Sequence, residues 1–291
     1  MRRLPSARTI VAAAVSALAL VVTPALSAGA APAMAQNAAP VDTADPNYIW
    51  RTDIISKALA GKPGADRVLH RVPGSFHDAP RVPAEADQAR ARGNALYGPG
   101  TPLYVGNTPG SEFMCTTTVA GYNDRGQKVA LTAGHCGNVG DKVKSADAPQ
   151  LGTTGTITQV DKQKDFAVIT LDKNTEVTRT YDGITANHVG GAPVRPGGTV
   201  CKKGVASGYT CAPTFTDWDT HNVNHVCAMQ GDSGAPLMVG DRVIAMVNGG
   251  TWHAPFDIAC HSPLQGPIHA PTASARLDSV LPLVKGGFRL P

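Results

Sequence analysis

Beyond residue 100 the sequence has no excess of either charge. Residues 101–291 hold 15 Lys and Arg and 15 Asp and Glu, so the +4 formal charge of the 291-residue chain resides in residues 1–100, with 11 basic against 7 acidic side chains. A neutral main region lacks the basic face that nucleic acid or an anionic membrane surface requires. No apolar run after the first 35 residues approaches the roughly 20 residues needed to cross a bilayer, so no membrane span is expected. Cysteine is absent before Cys115, and no C-x-x-C or similar ligand spacing occurs among the six that follow. A zinc site is therefore not expected, and no cofactor is implied. His221 and His225 lie four apart on a Val/Asn-alternating stretch, which reads as a strand with exposed imidazoles rather than a metal pair.

What is present divides the chain into three parts. Arg2, Arg3 and Arg8 precede the apolar run Ile10 to Val22, and small residues lead to Ala33-Met34-Ala35. This is the pattern of a secretory signal peptide over residues 1–35, cut after Ala35. Residues 36–100 have no cysteine and are crowded with Pro, Ala, Arg and Asp, which fits a pro-region or a linker, with Gly98-Pro99-Gly100 as its boundary. As a pro-region it would be cut so that the mature chain starts between roughly Gly93 and Gly110, and it would act on its own domain as inhibitor or folding aid. Residues 101–291 alternate short β-branched runs with turn residues such as Asn123-Asp124 and Gly240-Asp241. That alternation predicts an all-β barrel or sandwich. Leu277, Val280, Leu281 and Val284 recur at helical spacing and predict one short C-terminal helix over 273–284. In an exported chain the six cysteines, Cys115, Cys136, Cys201, Cys211, Cys227 and Cys260, are expected as three disulfides, sequential pairing being the simplest of the arrangements open to them.

The segment Gly231-Asp232-Ser233-Gly234-Ala235-Pro236 places a serine between glycines just before an apolar run. Such a cluster alone is a turn. A serine hydroxyl becomes a nucleophile only beside a base held by a third group, and two segments offer these: Leu131-Thr132-Ala133-Gly134-His135-Cys136, and Asp165 at the mouth of the apolar run Phe166-Ala167-Val168-Ile169. Together, LTAGHC, DFAVI and GDSGAP resemble the chymotrypsin family of serine proteases, in its chain order of His, Asp, Ser. Cys227 lies six residues before Ser233, and Val200-Cys201-Lys202-Lys203-Gly204 is followed by Gly208-Tyr209-Thr210-Cys211. Both features resemble the bacterial secreted branch of streptogrisins and alpha-lytic protease.

The resemblance covers about residues 101–285 and implies two six-stranded antiparallel β-barrels, about 101–185 and 186–291, with His135, Asp165 and Ser233 in the cleft between them. It implies Gly231 and Ser233 as oxyanion-hole donors through their backbone N–H groups, and Asp232 as a buried acid paired with Lys202 where the family often has Arg. It also implies Cys115–Cys136 beside His135, Cys201–Cys211 near Asp232, and Cys227–Cys260 framing a specificity pocket. Ala228 and Met229 would line that pocket, and Val247-Asn248-Gly249-Gly250 would pair with substrate backbone, Asn248 standing where the family has serine. No acid occurs between Val226 and Met229, so an apolar pocket for a small or medium side chain is expected. The expected function is a secreted, monomeric serine endopeptidase acting on polypeptides. The alternative is a catalytically inactive protease-like binding protein.

Overall fold

The computed structural model describes residues 49–51, 54–59, 64, 68–70, 82–108, 112–252, 254–260 and 265–291. The expected signal peptide and most of residues 36–81 lie outside them. Two large antiparallel sheets make up the domain.

The first sheet contains β2 (Pro102–Val105), β3 (Phe113–Thr116), β4 (Val119–Tyr122), β5 (Lys128–Ala133), β6 (Lys142–Ser145), β7 (Gly155–Asp161) and β8 (Phe166–Leu171), in the order β3-β2-β6-β7-β8-β5-β4. The run FAVITL becomes β8, paired on both edges, and Phe166 and Ile169 are wholly buried with Leu103, Leu131 and Ile157. A near-continuous apolar run suits a strand with no solvent-facing side. The apolar and β-branched stretch Thr116 to Tyr122 is broken at Thr117-Thr118, where the chain turns from β3 into β4.

The second sheet contains β10 (His188–Val189), β11 (Thr199–Gly204), β12 (Gly208–Asp217), β13 (His221–Asn224), β14 (Pro236–Val239), β15 (Arg242–Gly250) and β16 (Thr272–Arg276). Pairing of β15 with β16 closes six of them into a ring, and β10 adds a short parallel edge. The all-β class is thus observed, with one difference from two equal barrels. The first sheet is curled but open, with seven strands, and only the second closes. The C-terminal helix is also shorter than its periodicity predicts: α2 spans Leu277–Val280 and a 3-10 turn follows over Leu281–Leu283. Ala273 to Ala275 are strand instead, because they supply the hydrogen bonds that close the ring against both β13 and β15. Tertiary pairing outweighs weak local helix propensity.

Structure upstream of residue 100 packs into the domain. Helix α1 (Ala84–Ala91) buries Ala86 and Ala89 against Leu96 and Tyr181. Strand β1 (Ala95–Tyr97) runs parallel to β9 (Thr175–Val177), and the Tyr97 hydroxyl, wholly buried, is 2.6 Å from Thr154 Oγ1. The Arg92 guanidinium makes a bidentate bond to Glu176, at 2.9 and 2.6 Å, which holds the Glu176 carboxyl below the ordinary range. Gly98–Gly100, read from the sequence as a boundary, therefore follows a buried strand.

The chain's last residues return to the first sheet. Tyr122 and Arg289 exchange two backbone hydrogen bonds of 2.8 Å beside β4, while Phe288 and Leu290 pack on the core. This approach requires glycine at 121, where a Cβ would stand 2.1 Å from the Arg289 carbonyl oxygen. Gly121→Ala is therefore expected to displace the 288–290 segment and lower stability by about 1–3 kcal/mol, as overpacking does. The urea midpoint measures it, with far-UV circular dichroism unchanged.

Candidate active site

His135 sits in a one-turn 3-10 helix, Gly134–Cys136, at the end of β5. Asp165 immediately precedes β8, and Phe166 pairs with Ala133, so the sheet register sets the two turns side by side. Gly134 is needed there: a Cβ would come within 2.8 Å of the Phe166 nitrogen. The Asp161 carboxylate shapes the approach to Asp165 by accepting the N–H groups of Gln163 and Lys164, at 2.9 and 2.8 Å. Asp165 itself has φ of 49°, in the left-handed region that non-glycine residues seldom occupy. Its side chain reaches back to the histidine.

The Asp165 carboxylate accepts the His135 backbone N–H at 2.8 Å and the ring Nδ1–H at 2.9 Å. It also accepts the Asn248 amide at 2.8 Å. A carboxylate only accepts, so Nδ1 carries the proton and Nε2 has its lone pair free. Ser233 Oγ lies 2.7 Å from that Nε2. Burial pushes the Asp165 carboxyl upward, but the bond and charge of His135, with the Asn248 amide, outweigh it and hold the group below the ordinary range.

Ser233 lies on the loop before β14, in the second sheet. Hydrogen bonds from the first sheet fix that loop: Thr116 N–H to the Ser233 carbonyl at 2.8 Å, Thr116 Oγ1 to Gly231 at 2.8 Å, and Thr118 Oγ1 to Gly234 at 2.6 Å. Gly231 has φ of 99°, and at Gly234 an added Cβ would stand 2.2 Å from the Thr116 oxygen. Among the described residues, the amides of Gly231 and Ser233 have no acceptor. Asp232, between them, is fully buried, 3.2 Å from the equally buried Lys202 Nζ. Burial pushes the Lys202 ammonium down, opposed by the Asp232 charge.

The three disulfides form as Cys115–Cys136, Cys201–Cys211 and Cys227–Cys260. Each is worth roughly 2–4 kcal/mol, and the first ties β3 to the turn bearing His135.

The chain has the chymotrypsin-like fold. Thermobifida fusca Protease A superposes with a TM-score of 0.51 at 22% identity, covering 65% of this chain and 96% of that one. Nocardiopsis protease (NAPase) gives 0.50 at 22% identity with the same coverage. In sequence the chain resembles streptogrisin-C of Streptomyces griseus, 25% identical over 230 residues, which cover 73% of this chain and 48% of that one. The chain thus spans about half the length of that relative. No protein-family model matches. The chymotrypsin-like chain resembles the bacterial serine proteases of this fold.

Beside His135 and Ser233 opens a cleft of about 370 Å³. Ala228, Met229, Asn248, Gly249 and Gly250 all line it. Asn248, however, has its side chain committed elsewhere: its amide serves Asp165 and its oxygen accepts the Ala275 N–H at 2.6 Å. Sequence reasoning missed Ala270 and Thr272, brought to the cleft by the ring closure of β16, and the threonines at 116 and 118, whose only signal was the run TTT. Trp252, Asp257 and Ile258 also reach the wall, from the segment after Gly250.

Asn248→Ala is expected to raise the Asp165 pKa. A carboxyl held low in the fold adds stability that is present above its unfolded pKa and lost as pH falls through its folded one. The variant should therefore lose stability near neutrality relative to the parent, with the difference shrinking on acidification. Urea midpoints measured across that range check the sign.

Proposed function

We propose that the chain is a secreted serine endopeptidase, with Ser233 as nucleophile, His135 as general base and Asp165 as the group that orients it. One observation carries this reading: the unbroken sequence of contacts from Asp165 through His135 to Ser233 Oγ, with two unengaged amides beside it. The Ser233 proton passes to His135 Nε2 as Oγ attacks the scissile carbonyl carbon. Negative charge then grows on the carbonyl oxygen, where the Gly231 and Ser233 amides donate. Loss of one such donor costs about 3 kcal/mol of barrier. The imidazolium, steadied by Asp165, returns the proton to the leaving amine, and water repeats the sequence on the acyl-enzyme. A binding protein that had lost catalysis would have no need of these contacts.

Ser233→Ala, His135→Ala and Asp165→Asn are each expected to cut peptide hydrolysis by several orders of magnitude while leaving the fold intact, because the three act as a unit. Casein or chromogenic-peptide turnover, with fluorophosphonate labelling of Ser233, checks this. Turnover in Ser233→Ala near that of the parent rejects the assignment.

Among the described residues, the cleft walls are small or apolar at Ala228, Met229, Val247, Ala270 and Ile258 and contain no Lys or Arg, while Asp257 adds a carboxylate. We read this as a site for an uncharged, medium side chain before the scissile bond. With no Lys or Arg to pair it among the described residues and the Asp257 carboxylate nearby, an acidic side chain is disfavoured, so substrates with Leu there should exceed those with Glu by about tenfold or more in kcat/KM.

The front segment is read as a pro-region whose removal stops upstream of Val82, since α1 and β1 pack on the domain. N-terminal sequencing of active secreted protein should find a start before Ala84. A start between Gly93 and Gly110 would mean that α1 is shed, and a start at Gln36 that the segment is a retained tether.

A further inference from the structure

The turn Val205–Ser207, between β11 and β12, faces the loop that runs from Cys227 to Ser233. Ser207 is wholly buried there, and nothing in the catalytic sequence of steps uses it. Its hydroxyl touches three groups at once. It lies against Lys202 Nζ and Asp232 Oδ2, and it is 2.9 Å from the Cys227 carbonyl oxygen. Its backbone N–H also donates to Asp232 Oδ1 at 3.1 Å.

Lys202 alone grips Asp232 loosely. Its 3.2 Å contact exceeds the roughly 2.7–2.9 Å of a strong ammonium–carboxylate bond, and its other donors go to Ser207 and to the Gly208 carbonyl at 2.9 Å. The serine fills the gap: its oxygen accepts a hydrogen bond from the ammonium, and its O–H donates toward Asp232 or the Cys227 carbonyl. The same hydroxyl thus holds both ends of the 227–232 segment. Ala228 and Met229 of the cleft lie at one end of it, and the amides of Gly231 and Ser233 flank Asp232 at the other. Gly204 makes room for this arrangement, since a Cβ there would stand 2.2 Å from Asp232 Oδ1.

We propose that Ser207 is a positioning residue, whose buried hydroxyl joins Lys202, Asp232 and Cys227 and so aims the Gly231 and Ser233 amides at the developing oxyanion. This rests on the reading of Ser233 as nucleophile. Removing the hydroxyl leaves a buried carboxylate and a buried ammonium each short of a partner, and the Gly231–Ser233 end of the loop then relaxes out of register with the substrate carbonyl, while Thr210 Oγ1, 3.2 Å from the Cys227 carbonyl, and the Cys227–Cys260 disulfide still hold the end that carries Ala228. Substrate side-chain binding is little affected. The effect therefore falls on kcat and on tetrahedral adducts rather than on KM.

The test compares the parent with Ser207→Ala and Ser207→Thr, each normalised to active sites titrated with a fluorophosphonate. Ser207→Ala is expected to lower kcat by about tenfold to a hundredfold with KM within about threefold, and to weaken a peptide-aldehyde inhibitor by a similar factor. Ser207→Thr, which keeps the hydroxyl, should stay within about threefold of the parent in kcat. Ser207→Cys keeps the shape with a weak donor and stands in should the alanine variant not fold, with the same kcat loss expected. A lower urea midpoint with unchanged kcat per titrated site, in whichever of these two variants folds, would overturn the proposal and leave Ser207 a purely structural residue. A parent with no Ser233-dependent turnover would instead remove the enzymatic reading on which it rests.

Discussion

Ser233 and His135 stand on different sheets, so their 2.7 Å contact is only as good as the seam that joins those sheets. That seam is made by Thr116 and Thr118, whose backbone and hydroxyl groups bond to the carbonyls of Gly231, Ser233 and Gly234. Thr132 closes it from β5, its hydroxyl donating to the Thr116 carbonyl at 2.8 Å. These threonines are fully buried, and threonine suits the place: it keeps β geometry while offering a short hydroxyl to a neighbouring backbone. Losing any of them would leave buried carbonyls unpaired, a cost of about 1–3 kcal/mol each.

Around the seam the structure tolerates little side-chain volume. Gly134, Gly204 and Gly234 each lie where a Cβ would press on backbone or on the Asp232 carboxylate. Close packing of turn on turn lets a histidine, an acid and a serine from distant parts of the chain meet within hydrogen-bond reach. Polar groups that this packing buries are almost all satisfied. Asp232 takes bonds from the amides of Ala206, Ser207 and Met229 besides Lys202 and Ser207 Oγ, which offsets the desolvation of two buried charges. A lysine serves beside Asp232 because the serine supplies the contact that a single ammonium cannot.

The approach to the two sheets is braced from both sides in chain order. Upstream, α1 and β1 pin the connection that carries β9 and Tyr181 between the sheets. Downstream, residues 286–290 cross back to β4, where the Arg289 guanidinium lies 5.1 Å from the centre of the Tyr122 ring. Neither brace has a strong local signature. The polar Ala/Arg run at 84–92 buries only two alanines, and the tail holds no regular pattern at all.

Local chemistry and short-range pattern were enough to read the all-β class and the sequential disulfides, while the three segments whose side chains meet in the cleft were read through their joint resemblance to a known family. Those features are encoded in residue types at fixed spacing: alternation sets strands, and LTAGHC, DFAVI and GDSGAP each carry their own turn. The sequence could not show what depends on contacts between remote segments. It was the closure of β15 on β16 that took Ala273 to Ala275 out of a helix and brought Ala270 and Thr272 to the cleft. It was packing against β9 that drew residues 84–97 into the domain, and burial that made Ser207 a partner of Lys202 and Asp232. Hydrogen bonds between residues far apart in the chain have no local period, so only the tertiary structure decides where they fall.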